Sequence, residues 1–255
     1  GLNDRVMARS VSELVAFLRT LGPPTVPALL RALPDIESPV HRRVIRDLVI
    51  DLGVPPVHVL HGMMEGQDWF IVRDLLTMAE RHPPADVALL VDGALEHPHP
   101  RVREQGVKML RSYRYGAPDE RLALALDDSD PDVRRTAQRL AVSRSSPNAA
   151  KKIAHILIED SADRDLSELK RLCYALASIR GPAAVDTLAG LLGQGLFSSL
   201  KNTDLPVAAA GALGTIDTEP SRAALGKGAR SLIPKIRDAC HRALQRIENQ
   251  RAGGS

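Results

Sequence analysis

Apolar positions recur along the chain in one four-place pattern. Val133, Ala137, Leu140 and Ala141 fall at i, i+4, i+7 and i+8, the spacing of a single helix face. The same places are filled by Val102, Gly106, Met109 and Leu110, then by Leu169, Cys173, Leu176 and Ala177. Leu205, Ala209, Ala212 and Leu213 form another copy, and Ile236, Cys240, Ala243 and Leu244 the last. Rougher copies open at His41 and Val72, so the first place steps along the chain by about 30 to 36 residues. In the clearest copy Asp130 precedes Pro131, which predicts an N-cap followed by the first helical residue, where proline's missing N–H would be unpaired anyway. Between the copies stand Pro24, Pro56, Pro84, Pro118, Pro147, Pro182 and Pro220, each predicted to open a preceding helix, at a mean step of about 33 residues.

Two signals thus share one period, and both predict helical pairs. One pair cannot cover its own apolar face, so the copies must stack on one another. Small residues in the second place (Gly106, Ala137, Cys173, Ala209, Cys240) would let stacked helices approach closely. The expected fold is all-α, a right-handed superhelix of about seven helical pairs forming one solenoid over residues 1–255. Residues 4–21, with Val11, Leu14, Val15 and Leu18 on one face, are expected to cap it, residues 22–249 to hold the repeats, and 250–255 to fray. A start at Gly1 without Met leads us to expect a piece of a longer protein. Two repeats are longer, through residues 159–165 and 193–203, and the second insertion carries Leu196-Phe197 as either a binding element or a packing plug.

The residue after the first place is Arg42, Arg73, Arg103, Arg134, Lys170, Pro206 and Arg237 in turn. A proline-led helix, a tight turn with Asp, then Val-Arg followed by small and aliphatic residues resembles the HEAT repeat, in the short form of bacterial HEAT-like and phycobilin-lyase-type proteins. The resemblance covers nearly the whole chain. It implies a ladder between neighbouring repeats, made by the Asp before the second helix and the Arg near its start, which Asp128 and Arg134 match. His97 and Ser231 stand at that acidic position elsewhere, and Pro206 replaces the basic residue. The resemblance also implies that the second helices line a concave side.

Charge then changes the picture. The second helices hold about 22 Lys and Arg against about 12 acids, whereas the first helices are close to balanced, so basic charge is sorted by helix type. Opposite the apolar places lie Arg43, Arg46, Lys108, Arg111, Arg135, Arg139, Arg171 and Arg242, the candidate partner-binding residues. Arg42, Arg73, Arg103 and Arg134 adjoin the core face and read as structural. The expected function is a non-catalytic protein–protein interaction scaffold whose basic concave surface holds an acidic partner segment. The alternative is a nucleic-acid-binding solenoid, since the same cations could neutralise phosphates.

Aromatics are 3% of the chain, poor material for a β-sandwich and too few for a base-stacking surface, with Tyr113-Arg114-Tyr115 the one basic-aromatic cluster. Trp69-Phe70 reads either as an exposed anchor or as rings packed between repeats. His58 with His61, and His97 with His99, invite a metal reading, but surface positions and a capping role for His99 explain them, and the paired His-Glu motifs of HEAT-like di-iron hydroxylases do not occur. Asp127–Asp132 departs from a calcium loop, with Asp132 where glycine belongs and Gln138 where the closing Glu belongs. No metal, no cofactor and no enzymatic activity are expected. No stretch approaches the roughly 18 apolar residues of a membrane span, and no signal peptide opens the chain. With Cys173 and Cys240 read as buried free thiols, a reducing cytoplasm is the expected location.

Overall fold

Helices end where the sequence supplies caps and prolines. The computed structural model describes residues 2–112, 118–161, 164–179, 182–194 and 203–252. Tyr113-Arg114-Tyr115, the Leu196-Phe197 pair and part of the 159–165 insertion lie outside the described residues. The described chain divides into two compact units, residues 1–116 and 117–255.

In the first unit, α1 (Leu2–Leu21) is followed by three pairs: α2 (Val26–Ala32) with α3 (Pro39–Leu52), α4 (Val57–Gly62) with α5 (Trp69–Ala79), and α6 (Ala88–Leu95) with α7 (Pro100–Met109). In the second, α8 (Pro118–Ala125) pairs with α9 (Pro131–Arg144), and α10 (Pro147–Ile158) with α11 (Leu166–Ile179). α12 (Pro182–Gln194) then pairs with α13 (Asp204–Leu213), and α14 (Glu219–Gly228) with α15 (Pro234–Ala252). The described residues are therefore all-α, in seven helical pairs after an N-terminal helix. Residues 250–252, expected to fray, belong to α15.

Each second helix packs on the next one within its unit: α3 on α5 and α5 on α7, then α9, α11, α13 and α15 in succession. The first helices α8, α10, α12 and α14 form the second layer of unit 2. The shared core between the layers is where the predicted places sit. Val102, Ala137, Cys173, Ala209, Ile236 and Cys240 are each 1% exposed or less. Burying one Leu or Ile side chain in such a layer is worth roughly 1.5–3 kcal/mol, so the stack rests on this face. The rough first place at His41 is exposed, and in α3 Leu48 and Val49 carry the contact. On α1, Val11, Val15 and Leu18 are half-buried, whereas Leu14, expected on the same face, is exposed.

Side chains cap several helix starts, at Asp130 as the sequence predicts. Asp130 accepts from the backbone N–H of Asp132 at 2.9 Å and of Val133 at 3.2 Å, Ser146 caps α10, and Thr218 with Ser221 forms a capping box. The acidic run before α9 thus serves the turn, with Asp128 accepting from the N–H of Asp130 at 2.8 Å.

Gly106 shows why the second place must be small. A Cβ there would sit 3.1 Å from the backbone nitrogen of Leu95 and 3.1 Å from the Ala94 methyl, across the α6–α7 contact. Backbone cannot retreat as a flexible side chain can. Gly106→Val is therefore expected to destabilise unit 1 by about 1–3 kcal/mol through overpacking, read as a lower urea midpoint.

Candidate binding surface

The residues after the first apolar place do a job that the sequence only hinted at. Arg42 donates Nη1 to the carbonyls of Ile36 at 2.7 Å and Glu37 at 2.8 Å. Arg103 does the same to His97 at 3.0 Å and Pro98 at 2.9 Å, and Arg134 to Asp128 at 2.9 Å and Ser129 at 3.0 Å. Each reaches back to the turn entering its own helix, at the same two offsets, and satisfies carbonyls that no helix ladder could pair. The expectation that Arg42, Arg103 and Arg134 are structural agrees with the geometry, whereas Arg73, expected to act likewise, donates to the adjacent Asp74 at 3.2 Å.

For Arg42 and Arg134 the other face of the guanidinium meets a buried acid. Asp74, 1% exposed, faces Arg42 at 3.8 Å, Arg46 at 3.2 Å and Arg73 at 3.2 Å. Arg42 also lies over the Phe70 ring at 4.2 Å, and Arg73 over Trp69 at 5.4 Å. Trp69 stacks on His99 at 4.1 Å, so of the two readings for Trp69-Phe70 the structure has rings packed between repeats. His99 is also the N-cap of α7, its Nδ1 accepting from the N–H of Arg101.

In unit 2 the acid is Glu168, 1% exposed. Arg134 holds it through two bonds of 2.8 and 2.7 Å, and Arg164 through one of 2.8 Å. Burial alone would raise the Glu168 pKa, but the bonds from Arg134 and Arg164 outweigh it and hold the carboxyl below its ordinary range. Arg164 also reaches Asp127, which pairs with Lys152. The ladder implied by Asp128 and Arg134 is accordingly built differently, since Arg134 takes the main-chain carbonyl of Asp128 and its carboxylate partner is Glu168 on the next second helix. Neither acid was legible beforehand. Asp74 follows its first place by two residues and Glu168 precedes its own by one, so no shared offset marks them.

The eight candidate partner-binding residues divide equally between the units. In unit 1, Arg43 is open, with 75% of its side chain exposed and Asp47 3.7 Å away. Lys108 is 46% exposed and bonded to Glu104 at 2.9 Å, and Arg111 is exposed. Arg46 departs from the expectation. Only 15% of its side chain is exposed, because it turns in to Asp74 and belongs to the buried ion cluster. In unit 2, Arg135 and Arg139 are exposed one turn apart on α9, with Arg135 3.3 Å from Asp132. Arg171 is half-buried and donates to Ser167 at 3.1 Å, and Arg242 is exposed beside Gln245 and Arg246. Surface pairs of this type are worth about 0–1 kcal/mol, so an acidic ligand can compete for these cations.

His58 and His61 lie on the exposed surface of α4. Among the described residues no three His, Cys, Asp or Glu side chains group as metal ligands would. Cys173 and Cys240 are buried and free, and burial pushes their thiols up to about 12 and about 11. No helix among the described residues is long and apolar enough to cross a membrane.

No known protein family matches the chain, and no curated protein does. Among solved structures the chain is similar to human deoxyhypusine hydroxylase in complex with glycerol, at 18% identity and a TM-score of 0.43, over 91% of this chain and 98% of that one. One expectation is corrected by this finding. The structure it resembles is an enzyme, so the expectation that the chain has no enzymatic activity is withdrawn. At this identity the likeness transfers no activity and no residue, and this sequence contains no His-Glu dipeptide.

Glu168 supplies a test with a definite sign. Its folded pKa is lowered, so the stability it confers is present above its unfolded value of about 4.5 and is lost as pH falls through the lower folded value. Glu168→Gln is expected to cost about 3 kcal/mol at pH 7, by leaving two guanidiniums without their acid, with the gap to wild type narrowing below pH 4.5 in denaturant titrations.

Proposed function

We propose that this protein is an interaction scaffold whose second helices present exposed cations to an acidic segment of a partner protein. The observation that carries this reading is a division of labour among arginines on the same helices. Arg42, Arg103 and Arg134 are turned back onto the entry turns of α3, α7 and α9, while Arg43, Lys108, Arg135, Arg139 and Arg242 remain exposed. Structural need accounts for the first set and not for the second. A surface of this kind steers an acidic partner and sets its register more than it sets raw affinity.

Nucleic acid offers the same cations a phosphate backbone. The described aromatics favour protein instead, because Trp69 is stacked on His99 and Phe70 lies under Arg42, and the two exposed rings, Phe17 and Tyr174, are too few to stack a run of bases. The buried free thiols support a reducing compartment, and on that ground we assign the protein to the cytoplasm.

The test is a fluorescence polarisation titration with labelled poly-glutamate and labelled duplex DNA, at low and at physiological salt. Micromolar binding of poly-glutamate that falls by about tenfold or more in the Arg135→Glu, Arg139→Glu double variant, with its helical signal intact, is the expected result. Tighter binding of DNA with a steep salt slope would replace this reading with the nucleic-acid one.

A further inference from the structure

Unit 1 holds a cavity of about 370 Å³ between the end of α5, the connector that follows it and α7. Its wall combines three kinds of chemistry. Val87 and Met109 are buried and apolar, Lys108 and Arg111 bring cations, and Glu80 with Gln105 brings an acceptor. Gln105, only 7% exposed, donates Nε2 to Glu80 Oε1 at 2.5 Å, which orients the carboxylate at the cavity wall. Glu80 is exposed as a residue, yet withdrawal of its carboxyl from water raises its pKa, against the Gln105 bond and the charges of Arg81, Lys108 and Arg111. That carboxylate takes its described hydrogen bond from Gln105 and stands at the cavity wall, where a further donor can reach it.

A bare anion does not fit such a wall. It would be drawn to Lys108, which already holds Glu104, and to Arg111, but it would meet the negative charge of Glu80 and bring no hydrogen to it. A residue of an acidic peptide brings both groups a few bonds apart, an anionic side chain and a backbone N–H. The volume accommodates one such residue with its flanking peptide groups, and the apolar wall receives the methylenes.

We propose that this cavity is the anchor point for the acidic segment: one Glu or Asp enters it, its carboxylate meets Lys108 Nζ and the Arg111 guanidinium, and the adjacent peptide N–H donates to Glu80. This rests on the scaffold reading above and adds a site and a selectivity to it. Glu80 is the repulsive element that disfavours phosphodiesters while the peptide supplies the compensating donor.

Removal of Glu80 separates the possibilities by sign. If the cations act only through their field, deleting a neighbouring negative charge tightens poly-glutamate binding. If Glu80 accepts the peptide N–H, the same deletion weakens it. Polarisation titrations with labelled poly-glutamate and labelled duplex DNA, on the full chain, are expected to show Glu80→Ala weakening peptide binding about tenfold and strengthening DNA binding. Glu80→Gln, which keeps an accepting oxygen and a similar shape, is expected to weaken peptide binding by about twofold to threefold and serves if the alanine variant folds poorly. The Lys108→Ala, Arg111→Ala double variant is expected to lose about tenfold or more. Unchanged or tighter peptide binding in both Glu80 variants overturns the anchor. So does binding that survives Lys108→Ala, Arg111→Ala yet disappears on reversal of Arg135 and Arg139, which leaves the scaffold reading intact. If the wild-type chain does not bind poly-glutamate, both readings fall together.

Discussion

Arg42, Arg103 and Arg134 hold the fold at the points where three of the helical pairs turn. A short helical pair enters its second helix through a tight turn whose carbonyls point away from any ladder. One guanidinium collects two of them, at the fifth and sixth residues before it in each case. An arginine suits the task because its planar fork bonds two acceptors with one end and leaves the rest of the group for an acid. For Arg42 that acid is Asp74 and for Arg134 it is Glu168, each on the following second helix. The same side chain therefore sets the local turn and fixes one repeat against the next within its unit.

This arrangement explains why the basic excess of the second helices is not one surface. Part of it is internal, neutralised by acids that are 1% exposed. Removing such an acid would strand the guanidiniums in low dielectric, which is why a buried ion cluster counts for more when broken than when formed. The remainder points outward, as Arg43 with Asp47 and Arg135 with Asp132, in surface pairs that an acidic ligand can exchange. Arg46 shows how close the two populations lie. One turn along α3 from Arg42, it faces inward to Asp74 while Arg43 stays in water.

The cavity beside α7 belongs to both populations. Lys108 and Arg111 are of the exposed kind, yet Gln105 beneath them is held in the buried layer and aims at Glu80. A surface built of cations alone would accept any polyanion. An acceptor set among the cations converts charge attraction into a preference for ligands that also carry a donor.

The sequence by itself determined the all-α class, the helical pairs and their period, the caps at Asp130 and His99, and the small second places, because each follows from local chemistry or from helical spacing. Gly106 could be read as a close contact without knowing that Leu95 is what it approaches. The sequence could also mark Arg42, Arg73, Arg103 and Arg134 as structural, since they share one position beside the core face, although Arg73 pairs with the adjacent Asp74 and not with its entry turn. Only the tertiary structure decided which acids they meet, that Arg46 turns inward, that Trp69 is covered by His99, and that Glu80 and Gln105 join Lys108 and Arg111 around one cavity. Those pairings join residues about 25 to 35 positions apart, roughly one repeat, but at no shared place within it, and only stacking brings them within reach.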